Sequence, residues 1–358
     1  MATRFILSID GGGIRGIIPA LILVELAKRL NGLPLHKAFD LIAGTSTGGI
    51  IAAGLTCPHP SKAGEAACTP SDLLELYAKE GGDIFRKPPL GDIINPYGLS
   101  SPSYETVSLE AKLKERLGTA TLDKGLSTVL IPAYDIRNRT ALFMSNADKK
   151  NSNFRYWEAA RATSAAPTYF PPALIERIGA KKEDRFLPLI DGGVFANDPI
   201  LAAYVEARKK PWQDDRLVFL SLGTGQQNRP VAYQEAKGWG AVGWMHPARD
   251  TPLISILMQG QASTASYQAN ALLNPAGTEL DYSTVVTDAN IRSLDYFRLD
   301  RQLTQKENDA LDDASPDNIK ALKAIGASLA KDNAKALDEV ARRILAEQSS
   351  GDQKSDAA

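Results

Sequence analysis

The sequence predicts an α/β fold: a mostly parallel central sheet flanked by helices, with a helical C-terminal portion. Three observations lead there. Short apolar runs at 4–9 and 39–43 each end in glycine-rich turns, and each is followed by a segment with helical spacing. A third apolar run, LVFLSL at 217–222, again runs straight into glycine, at GTG. Beyond about residue 250 the pattern becomes helical, interrupted by YFRLD at 296–300.

Taken in order, RFILSI is a buried strand, DGGGIRG a turn and IIPALILVELAKRL a helix. Pro19 suits that helix's first turn, where a missing N–H costs little, and Leu23, Leu26, Ala27 and Leu30 recur at helical spacing. Residues 39–43 form a second strand and 48–55 a small-residue helix. A Pro, Ser and Gly-rich loop at 56–70 leads to SDLLELYAKEG, a helix with Ser71 as N-cap. PPLGDIINPYGLSSPSY at 88–104 reads as loop. STVLIPAYDI and TALFMSN are strands of a hairpin through Arg137, Asn138 and Arg139, and YWEAARATSAA is a helix that Pro167 ends. Leu187 to Ile190 leads into DGGVFANDP, and Ser315-Pro316 opens a late helix as cap and first residue. A single domain over residues 1–347 and a disordered tail at 348–358 complete the expectation.

With 44% hydrophobic and 23% charged residues the chain has the composition of a globular protein. A formal net charge of −1 gives no global attraction for nucleic acid or an anionic membrane. Cys57 and Cys68 form no CxxC pair, so neither a disulfide framework nor a zinc site is expected; one bridge between them stays open. No window approaches the roughly 20 apolar residues of a membrane span and no secretory signal is read. The expected setting is cytoplasmic, with membrane contact only peripheral.

Three short stretches carry chemistry. Gly44-Thr45-Ser46-Thr47-Gly48 fits G-x-S-x-G, where Gly44 and Gly48 let strand and helix approach closely and Ser46 is presented on a strained turn. The alternative is a plain loop. Asp10-Gly11-Gly12-Gly13-Ile14-Arg15-Gly16 exposes backbone N–H groups after a strand. They could hold an oxyanion, or the phosphate of an actin-like sugar kinase, or simply make a tight turn. Asp191-Gly192-Gly193 places a carboxylate at a strand end, as a base or as a turn. Of the histidines, His36 and His59 read as structural or solvent-exposed. His246, in GWMHPARD, follows Asp191 in the order an α/β-hydrolase triad requires, but its neighbours Trp244, Met245 and Pro247 suggest a packed corner.

Together, DGGGIRG, GTSTG and DGG resemble the patatin-like phospholipase family. ATSAAPTYFPP at 162–172, Asn197-Asp198-Pro199, LSLGTG at 220–225 and LDDASPDN at 311–318 are similar to patatin segments as well, so the resemblance runs from about residue 4 to 345. It implies a patatin-like three-layer fold and lipid acyl hydrolysis by a serine–aspartate dyad, with no histidine, metal or cofactor. Ser46 would be nucleophile, Asp191 general base, Gly11, Gly12 and Gly13 the oxyanion donors, and Arg15 an anion contact or one half of a surface ion pair. The implied partner is a phospholipid or glycolipid substrate. Ile93, Ile94, Pro96, Tyr97, Tyr169, Phe170 and Pro171 could line an acyl channel or be ordinary core and turn. Some bacterial relatives are cyclic-nucleotide-activated effectors of anti-phage defence, which leaves a small-molecule activator open.

Overall fold

The computed structural model describes residues 2–85, 101–227, 229–246, 251–274 and 290–355, the last five of these by backbone alone. Ile93, Ile94, Pro96, Tyr97 and Pro247 lie outside the described residues.

Eight strands form one mixed sheet: β1 (Thr3–Ile9), β2 (Leu41–Gly44), β3 (Thr128–Asp135), β4 (Thr140–Ser145), β5 (Ala173–Glu176), β6 (Phe186–Asp191), β7 (Arg216–Leu222) and β8 (Tyr296–Leu299). Five strands run parallel through the pairings β3–β2–β1–β7–β8, and β4, β5 and β6 add antiparallel partners. Alternation along the strands makes two cores. Phe5, Leu7 and Ile9 of β1 face one core, packed by residues of the Ile17–Arg29, Thr47–Thr56, Pro70–Ile84 and Pro316–Asp332 helices. Ile6, Leu41, Ala43 and Phe219 face the other, covered by Ile200, Ala203 and Ala207 of the Ile200–Arg208 helix and Ala269 of the Pro252–Leu273 helix. Helix, sheet and helix are the three expected layers.

One feature of pairing sets up the site. Ala133 of β3 pairs with both Leu142 of β4 and Asp191 of β6, while Leu130 pairs with both Ser145 of β4 and Ala43 of β2. A strand has two edges, so β2 and β6 must share the edge opposite β4. They approach end to end, because β2 runs parallel to β3 and β6 antiparallel. Their C-terminal ends therefore face each other across a short gap.

Several local expectations change. Thr69, not Ser71, caps the Pro70–Ile84 helix: its hydroxyl accepts the Asp72 N–H at 3.2 Å and the Asp72 carboxylate accepts the Thr69 N–H at 2.8 Å, a reciprocal box with Pro70 at the first position. The Tyr156–Thr163 helix stops before Pro167 is reached. The C-terminal Ala334–Ser355 helix runs on through residues 348–355, where the sequence reading places a disordered tail. Ser315 caps the Pro316–Asp332 helix as expected. Cys57 and Cys68 are both buried and unbridged.

Candidate active site

Ser46 sits between β2 and the Thr47–Thr56 helix with φ 55° and ψ −121°, a backbone region that side chains other than glycine rarely occupy. The elbow is held by close packing. A Cβ on Gly44 would overlap the Gly48 carbonyl, and one on Gly48 would overlap the carbonyl of Ile9. The Ser46 N–H donates to Thr163 Oγ1 at 3.0 Å, and Thr163 in turn donates to the Pro132 carbonyl of β3 at 2.6 Å. So the strained turn is bolted to the same strand that carries β6.

The meeting of β2 and β6 brings the two predicted residues together. Ser46 Oγ donates to Asp191 Oδ2 at 2.7 Å, and Asp191 Oδ1 accepts the Gly193 N–H at 2.6 Å. Asp191 is buried, and burial pushes its carboxyl up to about 7; the Ser46 hydroxyl, the Gly193 N–H and the Arg161 charge hold it from rising further. A carboxylate poised near neutrality and bonded to a serine hydroxyl can accept that hydroxyl's proton.

The glycine loop is only partly as expected. Gly11's N–H donates to the Asn197 carbonyl at 3.0 Å, so it is spent on holding the loop and is unavailable as an oxyanion donor in this arrangement. Its carbonyl accepts from Thr224 Oγ1 at 2.7 Å. The N–H groups of Gly12 and Gly13 donate to no described residue, and neither does that of Thr47, the first residue of the helix after the elbow. Helix starts leave such N–H groups open, and the residue after the nucleophile is the usual second contributor to an oxyanion hole. Gly13 reaches its position with φ 59°.

Arg15 is not a surface residue. It is 6% exposed, donating through Nη1 to the Gly225 carbonyl at 2.8 Å and through Nε toward the Gly12 carbonyl at 3.4 Å. It lines the cavity beside the loop and forms no ion pair among the described residues, so the surface ion pair is ruled out. Asp10 is committed elsewhere: both its oxygens take the Arg298 guanidinium, at 2.9 and 2.6 Å. Arg298 also reaches Asp300 and Ser221 at 2.8 Å, in a buried cluster that includes Asp198. That geometry removes the free carboxylate on which a kinase reading of DGGG depends.

A cavity of about 260 Å³ opens over these parts, lined by Asp191, Gly12, Asn197, Tyr169, Ile254 and Met258 among others. Tyr169 therefore borders it, whereas Phe170 is buried in the core, and none of the three histidines lines it. Asn197, Thr163, Thr224 and Arg298 are the functional neighbours that sequence reasoning did not assign. Thr163, Asn197 and Thr224 fall in stretches that resemble patatin segments but were given no role there, and Arg298 left a signal of its own, a lone cation inside the apolar strand YFRL.

A family model described as patatin-like phospholipase matches residues 7–204. Patatin-like protein 4 of Arabidopsis thaliana is 31% identical over 92% of this chain and 83% of its own. Patatin-like protein 2 of Oryza sativa subsp. japonica is 30% identical over 93% of this chain and 85% of its own. Patatin-17 of Solanum cardiophyllum is 29% identical over 95% and 88%.

Proposed function

The chain belongs to the patatin-like phospholipase family, whose activity is lipid acyl hydrolysis, and we propose that it cleaves fatty-acyl esters of phospholipids or related glycerolipids through a Ser46–Asp191 dyad. The observation that carries this reading is the 2.7 Å hydrogen bond from Ser46 Oγ to Asp191 Oδ2. The raised carboxyl and the strained elbow support it.

Asp191 takes the Ser46 proton as Oγ attacks the ester carbonyl carbon. The carbonyl electron pair moves to oxygen, and the N–H groups of Gly12, Gly13 and Thr47, which donate to no described residue, are the donors assigned to that charge. Collapse of the intermediate expels the alcohol, which takes the proton from Asp191. Water then attacks the acyl-serine with Asp191 again as base, and Ser46 leaves with the proton as the fatty acid departs. Arg15, which lines the cavity, offers positive charge to an anionic part of the substrate.

The test is fluorophosphonate labelling, with the modified peptide located by mass spectrometry. Labelling at Ser46 that collapses in Asp191→Asn is expected. Labelling elsewhere, or labelling that ignores the substitution, sinks the dyad.

A further inference from the structure

The N-terminal turns of the Pro252–Leu273 helix present large apolar side chains to the outside. None of its 22 residues, PLISILMQGQASTASYQANALL, is charged, although charged residues make up 23% of the chain. A helix on the surface of a water-soluble domain ordinarily turns polar residues outward. Here three of the polar side chains work inward. Gln261 accepts the Asn197 N–H at 3.1 Å and donates to the Gly193 carbonyl, Gln259 donates to the Gln227 carbonyl at 3.2 Å, and Ser266 donates to Asp198 at 2.7 Å. Large apolar side chains take the outside: Leu253, Ile256 and Leu257 are 41%, 49% and 60% exposed. Their spacing of three and four residues puts them on one stripe.

That stripe adjoins the site. Ile254, Leu257 and Met258 line the cavity, so Leu257 stands at its mouth with one side toward the cavity and the other toward solvent. Contiguous exposed apolar surface of this kind marks an interaction site. We propose that the N-terminal turns of this helix, through Leu253, Ile256 and Leu257, seat the molecule in the interface of a zwitterionic lipid bilayer and so bring the cavity mouth to its substrate. The inference rests on the hydrolase reading for its purpose, and its observations are independent of it. The occupant is a bilayer because the exposed stripe continues into a cavity whose substrate lies in one. The bilayer is zwitterionic because interfacial helices that need anionic lipid carry Lys and Arg, and this one carries neither.

The experiment uses the whole protein and phosphatidylcholine vesicles. Neither Leu253 nor Ile256 lines the cavity, so the pair Leu253→Asp, Ile256→Asp leaves the chemistry in place. The uncharged pair Leu253→Gln, Ile256→Gln serves if the carboxylates perturb the helix. The unsubstituted chain is expected to sediment with the vesicles equally at about 0.1 and 1 M salt, since no charge is involved. Both pairs should weaken binding and vesicle-phospholipid hydrolysis at least about tenfold. They should keep Ser46 labelling and the cleavage of a monomeric short-chain ester. Unchanged vesicle binding in both pairs overturns the proposal, as does binding that salt abolishes. A dimer that the pairs turn into monomer overturns it in favour of a second copy of the chain. Sedimentation needs no turnover, so an inactive but vesicle-bound protein counts against the hydrolase reading alone.

Discussion

Ser46 Oγ lies 2.7 Å from Asp191 Oδ2 although 145 residues separate them along the chain. The contact arises from strand direction. β2 runs up one edge of β3 and stops at Gly44, β6 comes down the same edge and stops at Asp191, and the turn after each strand projects into the gap.

Activity should follow the ionised form of Asp191. Burial raises its carboxyl to about 7, so kcat/KM is expected to climb about tenfold per pH unit below neutrality and to level off above it. A stopped-flow or initial-rate profile with a soluble ester checks this. A flat profile from pH 5 to 8 contradicts the aspartate as base.

The same shift has a stability consequence whose sign is opposite to that of a salt-bridged carboxylate. The folded-state value lies above the unfolded one, so the cost of Asp191 is absent below about pH 4, grows between pH 4 and 7, and is constant above 7. Asp191→Asn escapes it. The variant should gain stability over the parent as pH rises through that window, reaching at most about 4 kcal/mol, while losing turnover. Urea unfolding at pH 5 and pH 8 reads it directly; an equal gain at both pH values would argue that the carboxyl is not shifted.

The Ser46 backbone stores strain. With φ 55° and ψ −121° it costs of order 1–3 kcal/mol for any residue with a Cβ. Ser46→Ala and Ser46→Gly should both abolish turnover, but only the glycine variant relieves the backbone. It is expected to be about 1 kcal/mol more stable than the alanine variant after its larger chain entropy is set against the gain. Denaturation midpoints of the two decide it, and an alanine variant that is the more stable removes the strain from the account.

Much of this was legible in the chain. DGGGIRG, GTSTG and DGG stand at strand ends because glycine after an apolar run is both a strand stop and a close-approach residue; in the structure Asp191, Gly11 and Gly12 line one cavity, and Ser46 is hydrogen-bonded to Asp191. The direction of β6 was not legible. Apolar runs announce strands but not their sense, and a short run such as FLPLID reads alike either way. Nor was the fate of Gly11's N–H, which depends on a carbonyl at Asn197 that the chain returns only after 186 residues. The Asp10–Arg298 pair, similarly, joins the two ends of the fold across β1, β7 and β8. Pairings of that range leave no local pattern.

Two glycine substitutions should go opposite ways. In Gly48→Ala the new Cβ runs into the carbonyls of Ile9 and Asp10, which are backbone atoms and cannot step aside. The elbow must distort, and a loss of more than about 3 kcal/mol with no Ser46 labelling is expected. Gly82, inside the Pro70–Ile84 helix, has nothing within 4 Å of a new Cβ. Gly82→Ala should stabilise by about 0.5–1 kcal/mol and leave labelling untouched. Thermal unfolding of both settles it; two similar changes would mean that the elbow tolerates a methyl group.

Arg298 is the last test, because it separates support from chemistry. One buried guanidinium faces Asp10 at 2.6 Å, Asp300 at 2.8 Å and Asp198 at 3.5 Å, and those carboxylates hold it firmly in the charged form. Arg298→Met leaves three buried carboxylates without their cation. Breaking a buried pair by removing one partner costs about 3–5 kcal/mol, here with a definite pH dependence. Burial already raises the Asp10 carboxyl and Arg298 holds it down, so without the cation it rises further; the variant should approach the parent at low pH and fall behind as pH rises. Asp10 begins the glycine loop, so Ser46 labelling should slow at neutral pH and recover part of the way under stabilising osmolyte, which a substitution of a reacting group would not do. Unfolding curves across pH 4–8 check the first expectation. A deficit that stays constant over that range means Arg298 contributes packing rather than charge.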